Sequence, residues 1–299
     1  MLYRCYAKLN LTLEVLGRRE DGYHELRSLV HTVNISDDLR IEPAETLLAR
    51  VEGLEIANED NLVVRAAELL AETARVRAGA ELTLVKGIPA AAGLGGGSSN
   101  AAAALVGLNA LWRTRLGYSD LLGLAAKLGS DVPFFVRGGA ALMRGRGDEL
   151  QVLPALDRQW FVIVVPPHQL RTKTARLYAE LNANDLESGA RTEHAASSLE
   201  HHAVLDESCM LNSFARAARS VFPGLDDLWQ ELQAIGGRRF HLSGAGPALF
   251  ALATDRTDAR RLVAQIAHLQ ARTLVARSTK HARTGARPRF ARVSAIGYA

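Results

Sequence analysis

One stretch restricts the fold more than any other: Pro89 to Leu105, P-A-A-A-G-L-G-G-G-S-S-N-A-A-A-A-L. Four of the five residues from Gly93 to Gly97 are glycine, and Ala101 to Ala104 are four alanines in a row. Ordering a glycine costs roughly 0.5–1 kcal/mol more than ordering an alanine. Four of them cost on the order of 2–4 kcal/mol, a large share of the ~5–15 kcal/mol that holds a typical domain together. A plain connection needs no such loss, so the run predicts that something approaches this backbone closely. A short strand is expected before it, Glu81 to Val85, and a helix after it, reaching about Trp112. That helix is apolar nearly all round and is expected to be buried.

Strand, glycine loop and helix together suit an anion. The first turn of a helix leaves N–H groups unpaired, and the helix dipole adds positive charge there. Glycines let backbone wrap a phosphate without side chains in the way. Ser98 and Ser99 add hydroxyls for phosphate oxygens or a metal ion. The alternative is a tight turn with close helix packing. Two common phosphate loops do not fit. A Walker A loop ends in Gly-Lys-Ser/Thr, whereas Gly97 is followed by Ser98. A dinucleotide fingerprint needs a third glycine where Ser98 stands.

The rest of the chain is ordinary for a globular protein: 299 residues, 48% hydrophobic and 23% charged. No run of 18 apolar residues predicts a membrane helix. The N-terminal M-L-Y-R-C-Y-A-K lacks the pattern of a signal peptide. Two cysteines, Cys5 and Cys209, give no disulfide framework, so a cytoplasmic protein is expected. The net charge of +4 is local in origin. Residues 276–299 hold six Lys or Arg and no acid, which leaves −2 for the remainder. That basic tail reads as a solvated extension or, alternatively, as a nucleic-acid surface; Phe290 is the one aromatic set among its basic residues.

Residues Lys8 to Val15 alternate, with Leu9, Leu11, Leu13 and Val15 on one face and Lys8, Asn10, Thr12 and Glu14 on the other. Period two predicts one half-buried strand, with Lys8 and Asn10 pointing together off the core. A turn is expected at Asp21-Gly22, and more strand from Leu29 to Ile41. Asp60-Asn61 is expected to cap a helix through Leu70, Ser119 to cap another ending at Gly129, and a strand pair to follow Asp131-Val-Pro-Phe-Phe. Beyond Pro154 come a strand at Trp160 to Val165, polar helices and a weakly patterned charged span from Asn182 to Glu207. A strand–turn–strand unit follows around Ser-Gly-Ala-Gly-Pro at 243–247, then a helix at Arg256 to Gln270 and a strand at Thr273 to Ala276. The pattern is α+β in two halves.

Three segments carry a family resemblance: Ala7-Lys-Leu-Asn-Leu11, the glycine run with Ser98-Ser-Asn-Ala-Ala, and Leu242-Ser-Gly-Ala-Gly-Pro-Ala-Leu-Phe250. In this order they resemble the galactokinase, homoserine kinase, mevalonate kinase and phosphomevalonate kinase (GHMP) superfamily. R-E-D-G-Y-H at 19–24, E-D-N-L-V-V-R-A-A at 59–67 and L-G-S-D-V-P-F-F at 128–135 resemble one branch of it. That branch phosphorylates the 2-hydroxyl of 4-diphosphocytidyl-2-C-methyl-D-erythritol with ATP and Mg²⁺, in the non-mevalonate route to isoprenoids. The resemblance spans residues 3 to 276.

It implies an N-terminal ribosomal protein S5 domain 2-like domain (1–154), a C-terminal ferredoxin-like domain (155–279) and a tail (280–299). It implies Lys8 and Asp131 as the catalytic pair. Phosphoryl transfer to an alcohol needs a proton acceptor and a counter-charge for the transferring group, which a carboxylate and an ammonium supply. The alternatives are a solvated strand lysine and a helix cap. Pro89, Ala90, Ala91, Ala92, Gly93, Leu94, Gly95, Gly96, Gly97, Ser98 and Ser99 would hold the nucleotide phosphates. Asn61, Leu62 and Lys86 would lie near its adenine end. Asn10, Tyr23, His24, Thr174 and Tyr178 would bind the substrate, the rings of Tyr23, His24 and Tyr178 around the cytosine. Some relatives have glycines at positions 91 and 92, so the alanines here imply a stiffer loop entrance. No protein ligand of Mg²⁺ is evident beyond a guess at Ser99. A homodimer is compatible, and membrane or nucleic-acid partners are not expected. The rivals are a homoserine- or mevalonate-type kinase, against which D-G-Y-H argues, and a non-catalytic nucleotide-binding module, against which Lys8 with Asp131 argues.

Overall fold

The computed structural model describes residues 1–52, 61–167, 170, 173–202, 205–235 and 237–286. Most of the basic tail therefore lies outside the described residues, as do Glu59 and Asp60 of the helix-start motif.

The first half contains β1 (Leu2–Asn10), β2 (Glu14–Arg18), β3 (His24–Ala44), β4 (Leu47–Glu52), α1 (Leu62–Ala74), β5 (Gly79–Val85), α2 (Gly96–Leu111), α3 (Tyr118–Leu128), α4 (Val132–Arg137), β6 (Ala140–Arg144) and β7 (Glu149–Leu153). The 21-residue β3 organises the sheet, pairing with β1, β2, β5 and β6. One core lies between this sheet and α1–α4, built from residues such as Ile41, Leu70, Leu82, Leu105 and Phe135. The all-round apolar α2 is buried as its composition predicts, with Ala101 to Leu105 each at most 1% exposed.

The second half contains β8 (Trp160–Val165), α5 (Lys173–Ala179), α6 (Ala190–His202), α7 (Ala215–Val221), α8 (Leu225–Ala234), β9 (His241–Leu242), β10 (Leu249–Ala253), α9 (Arg256–Gln265) and β11 (Arg272–Arg277). Its antiparallel sheet runs β11-β8-β10-β9, the strand order of a ferredoxin-like fold. A further strand, β12 (Arg283–Ala286), returns to the first sheet beside β1, so the tail begins as paired backbone.

Three expectations need correction. Lys8 to Val15 is not one half-buried strand: β1 ends at Asn10, β2 begins at Glu14, and both sets of side chains are buried. The second half packs Phe161, Ile163 and Phe250 against Ala7, Leu9 and Leu11, and its Gly189 and Thr192 N–H groups meet Glu14 on the other face. A register jump between Tyr6 and Ala7 leaves Asn34 and Ile35 as extra residues in β3. Helix α3 is capped by Gly117, not Ser119; its open N–H donates to the Asp120 carboxylate (2.9 Å). The charged span from Asn182 to Glu207 holds α6, whose small stripe of Thr192, Ala195, Ala196 and Leu199 is enough to bury one face.

His31 of β3 joins the first sheet to the connection between the halves. Its Nε2 accepts from Leu156 N (2.8 Å), which assigns the proton to Nδ1, donated to Thr32 O (2.8 Å). Burial pushes this imidazole down to about 4. Among the described residues no helix is long and apolar enough to cross a membrane.

Candidate active site

The glycine run leaves β5 and enters α2, as read from sequence, and it is held by a residue the sequence did not mark. Asp37, a fully buried carboxylate on β3, accepts from Gly87 N and Ile88 N (2.8 Å each) and from Asn100 Nδ2 (2.8 Å), and pairs with Lys86. It thereby fixes the loop entrance and the first turn of α2 together. Nothing in S-D-D-L-R distinguishes Asp37 from the half-buried Asp38 beside it, so no sequence signal was available.

The glycines make room for protein before they make room for a ligand. Gly93 has φ +85°, and a Cβ there would stand 2.2 Å from the Ser243 carbonyl oxygen of the second glycine loop. A Cβ on Gly95 (φ +71°) would meet the Phe135 ring at 2.8 Å and Lys8 Cγ at 3.0 Å. At Gly97 the nearest atom is Leu62 Cδ1 at 3.6 Å. The two loops are also hydrogen-bonded, Ala248 N to Ala92 O (3.1 Å) and Ser243 Oγ to Gly93 O (3.2 Å). Gly95, the cap of α2, has no side chain to satisfy the first-turn N–H groups, which leaves that end suited to an anion.

Lys8 and Asp131 meet: Nζ lies 3.3 Å from Oδ2, with the lysine side chain 5% exposed and the aspartate 35%. Asp131 precedes α4 but makes no side-chain cap bond, so the helix-cap alternative does not describe it. Lys8 also donates to Asn10 Oδ1, and Asn10 Nδ2 donates to Ser28 Oγ (2.8 Å). Lys8 is thus a buried, positioned ammonium, not a solvated strand lysine.

Two clefts open from this pair. One, of about 380 Å³, is lined by every residue from Pro89 to Ser98 together with Leu62, Lys86 and Lys173. The other, of about 660 Å³, contains Asn10, Tyr23, His24, Thr174 and Tyr178. Lys8, Ser98, Asp131, Thr174 and Ala245 line both. Two residues named with the nucleotide lie off the first cleft. Asn61 is buried and caps α1, accepting from Val63 N (3.0 Å). Ser99 is 2% exposed, and its hydroxyl has no hydrogen-bond partner among the described residues.

In the larger cleft His24 stacks on Tyr178, and Tyr178 meets Phe214 edge-on. Burial, and then the Asp131 charge, raise the Tyr178 phenol above its usual range; burial lowers His24. Tyr23 is 54% exposed and carries the Arg146 guanidinium over its ring, 3.6 Å from the centroid. Arg146 sits in the turn between β6 and β7, and its sequence, G-R-G-D, signalled only a turn.

The fold and this double cleft define a small-molecule kinase of the GHMP class. Residues 61–139 match the model of the GHMP kinases N terminal domain, and residues 193–270 that of the GHMP kinases C terminal. The chain belongs to the 4-diphosphocytidyl-2-C-methyl-D-erythritol kinase family. A kinase of that name from Dehalococcoides mccartyi is 42% identical over 258 residues, covering 86% of this chain and 90% of the relative. Another from Pelotomaculum thermopropionicum is 38% identical over 276 residues, 91% and 96% of the two chains. A crystal structure of 4-(cytidine 5'-diphospho)-2C-methyl-D-erythritol kinase superposes with a TM-score of 0.78 at 34% identity, over 93% of this chain and 99% of the other.

Proposed function

We propose that the protein transfers the γ-phosphoryl group of ATP to the 2-hydroxyl of 4-diphosphocytidyl-2-C-methyl-D-erythritol, with Lys8 and Asp131 as the catalytic pair. One observation carries this reading: the glycine-loop cleft and the aromatic cleft share Lys8 and Asp131. ATP enters the first and the cytidyl alcohol the second.

Asp131 accepts the proton of the attacking hydroxyl. Lys8, fixed by Asn10, favours the ionised carboxylate and offsets charge on the transferring phosphoryl. The backbone from Gly93 to Ser98 holds the phosphates in line with the alcohol. Leu62 and Lys86 stand toward the adenine end. Tyr23, His24 and Tyr178 grip the cytosine, and Asn10 and Thr174 contact the erythritol side. The donor set fits Mg²⁺, which takes oxygen ligands and keeps substrate phosphates among them. Ser98, whose residue lines both clefts, would hold it, and Mg²⁺ would neutralise charge on the phosphates. In this reading residues 1–154 supply the nucleotide loop, residues 155–279 close the site over it, and the enzyme works in the cytoplasm.

The test is turnover of ATP with the cytidyl alcohol, homoserine and mevalonate, with ³¹P NMR of the product. ADP and a 2-phosphate from the cytidyl alcohol are expected. Turnover of homoserine or mevalonate alone would overturn the assignment.

A further inference from the structure

Three lysines line the nucleotide cleft, and their partners differ. Lys86 pairs with Asp37 and Lys8 with Asp131. Lys173, the first residue of α5, has no carboxylate partner among the described residues. Its Nζ donates instead to two carbonyls, Ala91 O (2.6 Å) and Gly246 O. Those carbonyls belong to the two glycine loops, so one ammonium bridges both walls of the cleft.

Lys173 is half-buried, and an ammonium partly withdrawn from water without an anion is unfavourable; two neutral carbonyls offset only part of that. The charged groups lining its cleft are Lys8 from β1, Lys86 at the end of β5 and Asp131 before α4. Asp131 is engaged by Lys8, and Lys8 repels Lys173. Burial and, behind it, this repulsion push the Lys173 ammonium down to about 8. The arrangement is short of one anion. Lys173 adjoins Thr174, which lines both clefts, so the missing anion belongs at their junction and away from Leu62 and Lys86.

We infer that Lys173 binds the phosphoryl end of ATP, as the cation of the cleft that no protein carboxylate neutralises. The inference rests on the kinase reading above. Nucleotide binding then completes the ion pair, holds Lys173 protonated and keeps the two glycine loops clasped over the phosphates. Lys173 stands outside the motifs that carry the family resemblance, so the resemblance gave this lysine no role.

The experiment is calorimetry with adenylyl imidodiphosphate and Mg²⁺ at pH 8.5, in buffers of different ionisation enthalpy. Wild type is expected to take up a proton on binding. Lys173→Met is expected to weaken binding on the order of 10–100-fold, as loss of a charge-assisted contact does, and to abolish the uptake. Lys173→Arg, whose charge does not titrate, is expected to restore affinity without uptake. A purely bridging role predicts a lower melting temperature with unchanged uptake, and that result overturns the inference. So does wild-type binding without uptake, which needs no variant to fold. Failure of wild type to bind the analogue at all would instead strike the kinase reading itself.

Discussion

The rings of His24 and Tyr178 lie face to face, 4.3 Å between centroids and 17° between planes. A base between two rings needs roughly 7 Å, two van der Waals layers of about 3.5 Å. The stack therefore closes the slot that the family resemblance assigns to cytosine, and the base must part it. Tyr178 is carried by the seven-residue α5, whereas His24 begins the long β3, so the tyrosine side is the one placed to move. Tyr178→Ala is expected to raise KM for the cytidyl substrate about 5–150-fold, the worth of one stacked base. Its Kd for ATP analogues should stay within twofold. Equal losses for both ligands would contradict the division into two clefts.

Asp131→Asn keeps shape and removes the proton acceptor. It is expected to lower kcat by on the order of 10²–10⁴. Nucleotide affinity should change by no more than a few-fold, measured by equilibrium titration. Turnover near wild type would remove Asp131 from the mechanism.

Asp37→Ala strands Lys86 and leaves Gly87 N and Ile88 N without their acceptor. Breaking such a buried pair costs about 3–5 kcal/mol, to be read from urea unfolding. Asp38→Ala, one residue away and half-buried in a solvent-facing pair with Arg4, is expected to change stability by no more than about 1 kcal/mol.

Gly93 and Gly97 should respond in opposite ways to the same methyl group. Gly93→Ala collides with the Ser243 carbonyl at a positive φ and is expected to lose about 1–3 kcal/mol or more. Gly97→Ala sits in the first turn of α2 with space around it and should gain roughly 0.5–1 kcal/mol. Its methyl faces the nucleotide cleft, so stability should rise while ATP affinity falls. Thermal melts with and without nucleotide separate the two effects.

His31 makes stability depend on acid. Its folded pKa of about 4 lies below the ordinary 6.5, so between these values the unfolded chain binds the extra proton. Stability contributed by neutral His31 is therefore complete above pH 6.5 and declines as pH falls toward 4. The full loss is about 3 kcal/mol. Urea midpoints at pH 7.5 and 4.5 check this: the acid-induced drop should be smaller in His31→Asn than in wild type.

Much of the site was legible because its chemistry is written in local sequence. Lys8 and Asp131 stand in short motifs, and the glycine-to-alanine change at Gly97–Ala101 marks the loop and its buried helix. Asp37 was not legible, because its role depends on a contact 63 residues away at Asn100. Thr12 and Glu14 were placed on the open face of a half-buried strand, and their burial was missed for a similar reason. Alternation tells which residues share a face, not what later covers it; Glu14 is met by Gly189 N and Thr192 N from the second half. The glycines were read correctly as a close approach. The approaching group was long-range and so invisible: the carbonyl of Ser243.

That contact also bears on timing as the protein is made. Gly93 and Ser243 are separated by 150 residues. At ~5–20 residues per second, the ribosome needs roughly 8–30 s to travel from one to the other. Throughout that interval the nascent first half lacks both β12 for its sheet and the Ser243 carbonyl against which Gly93 packs. The glycine run thus reaches its final shape late, when the second glycine loop arrives.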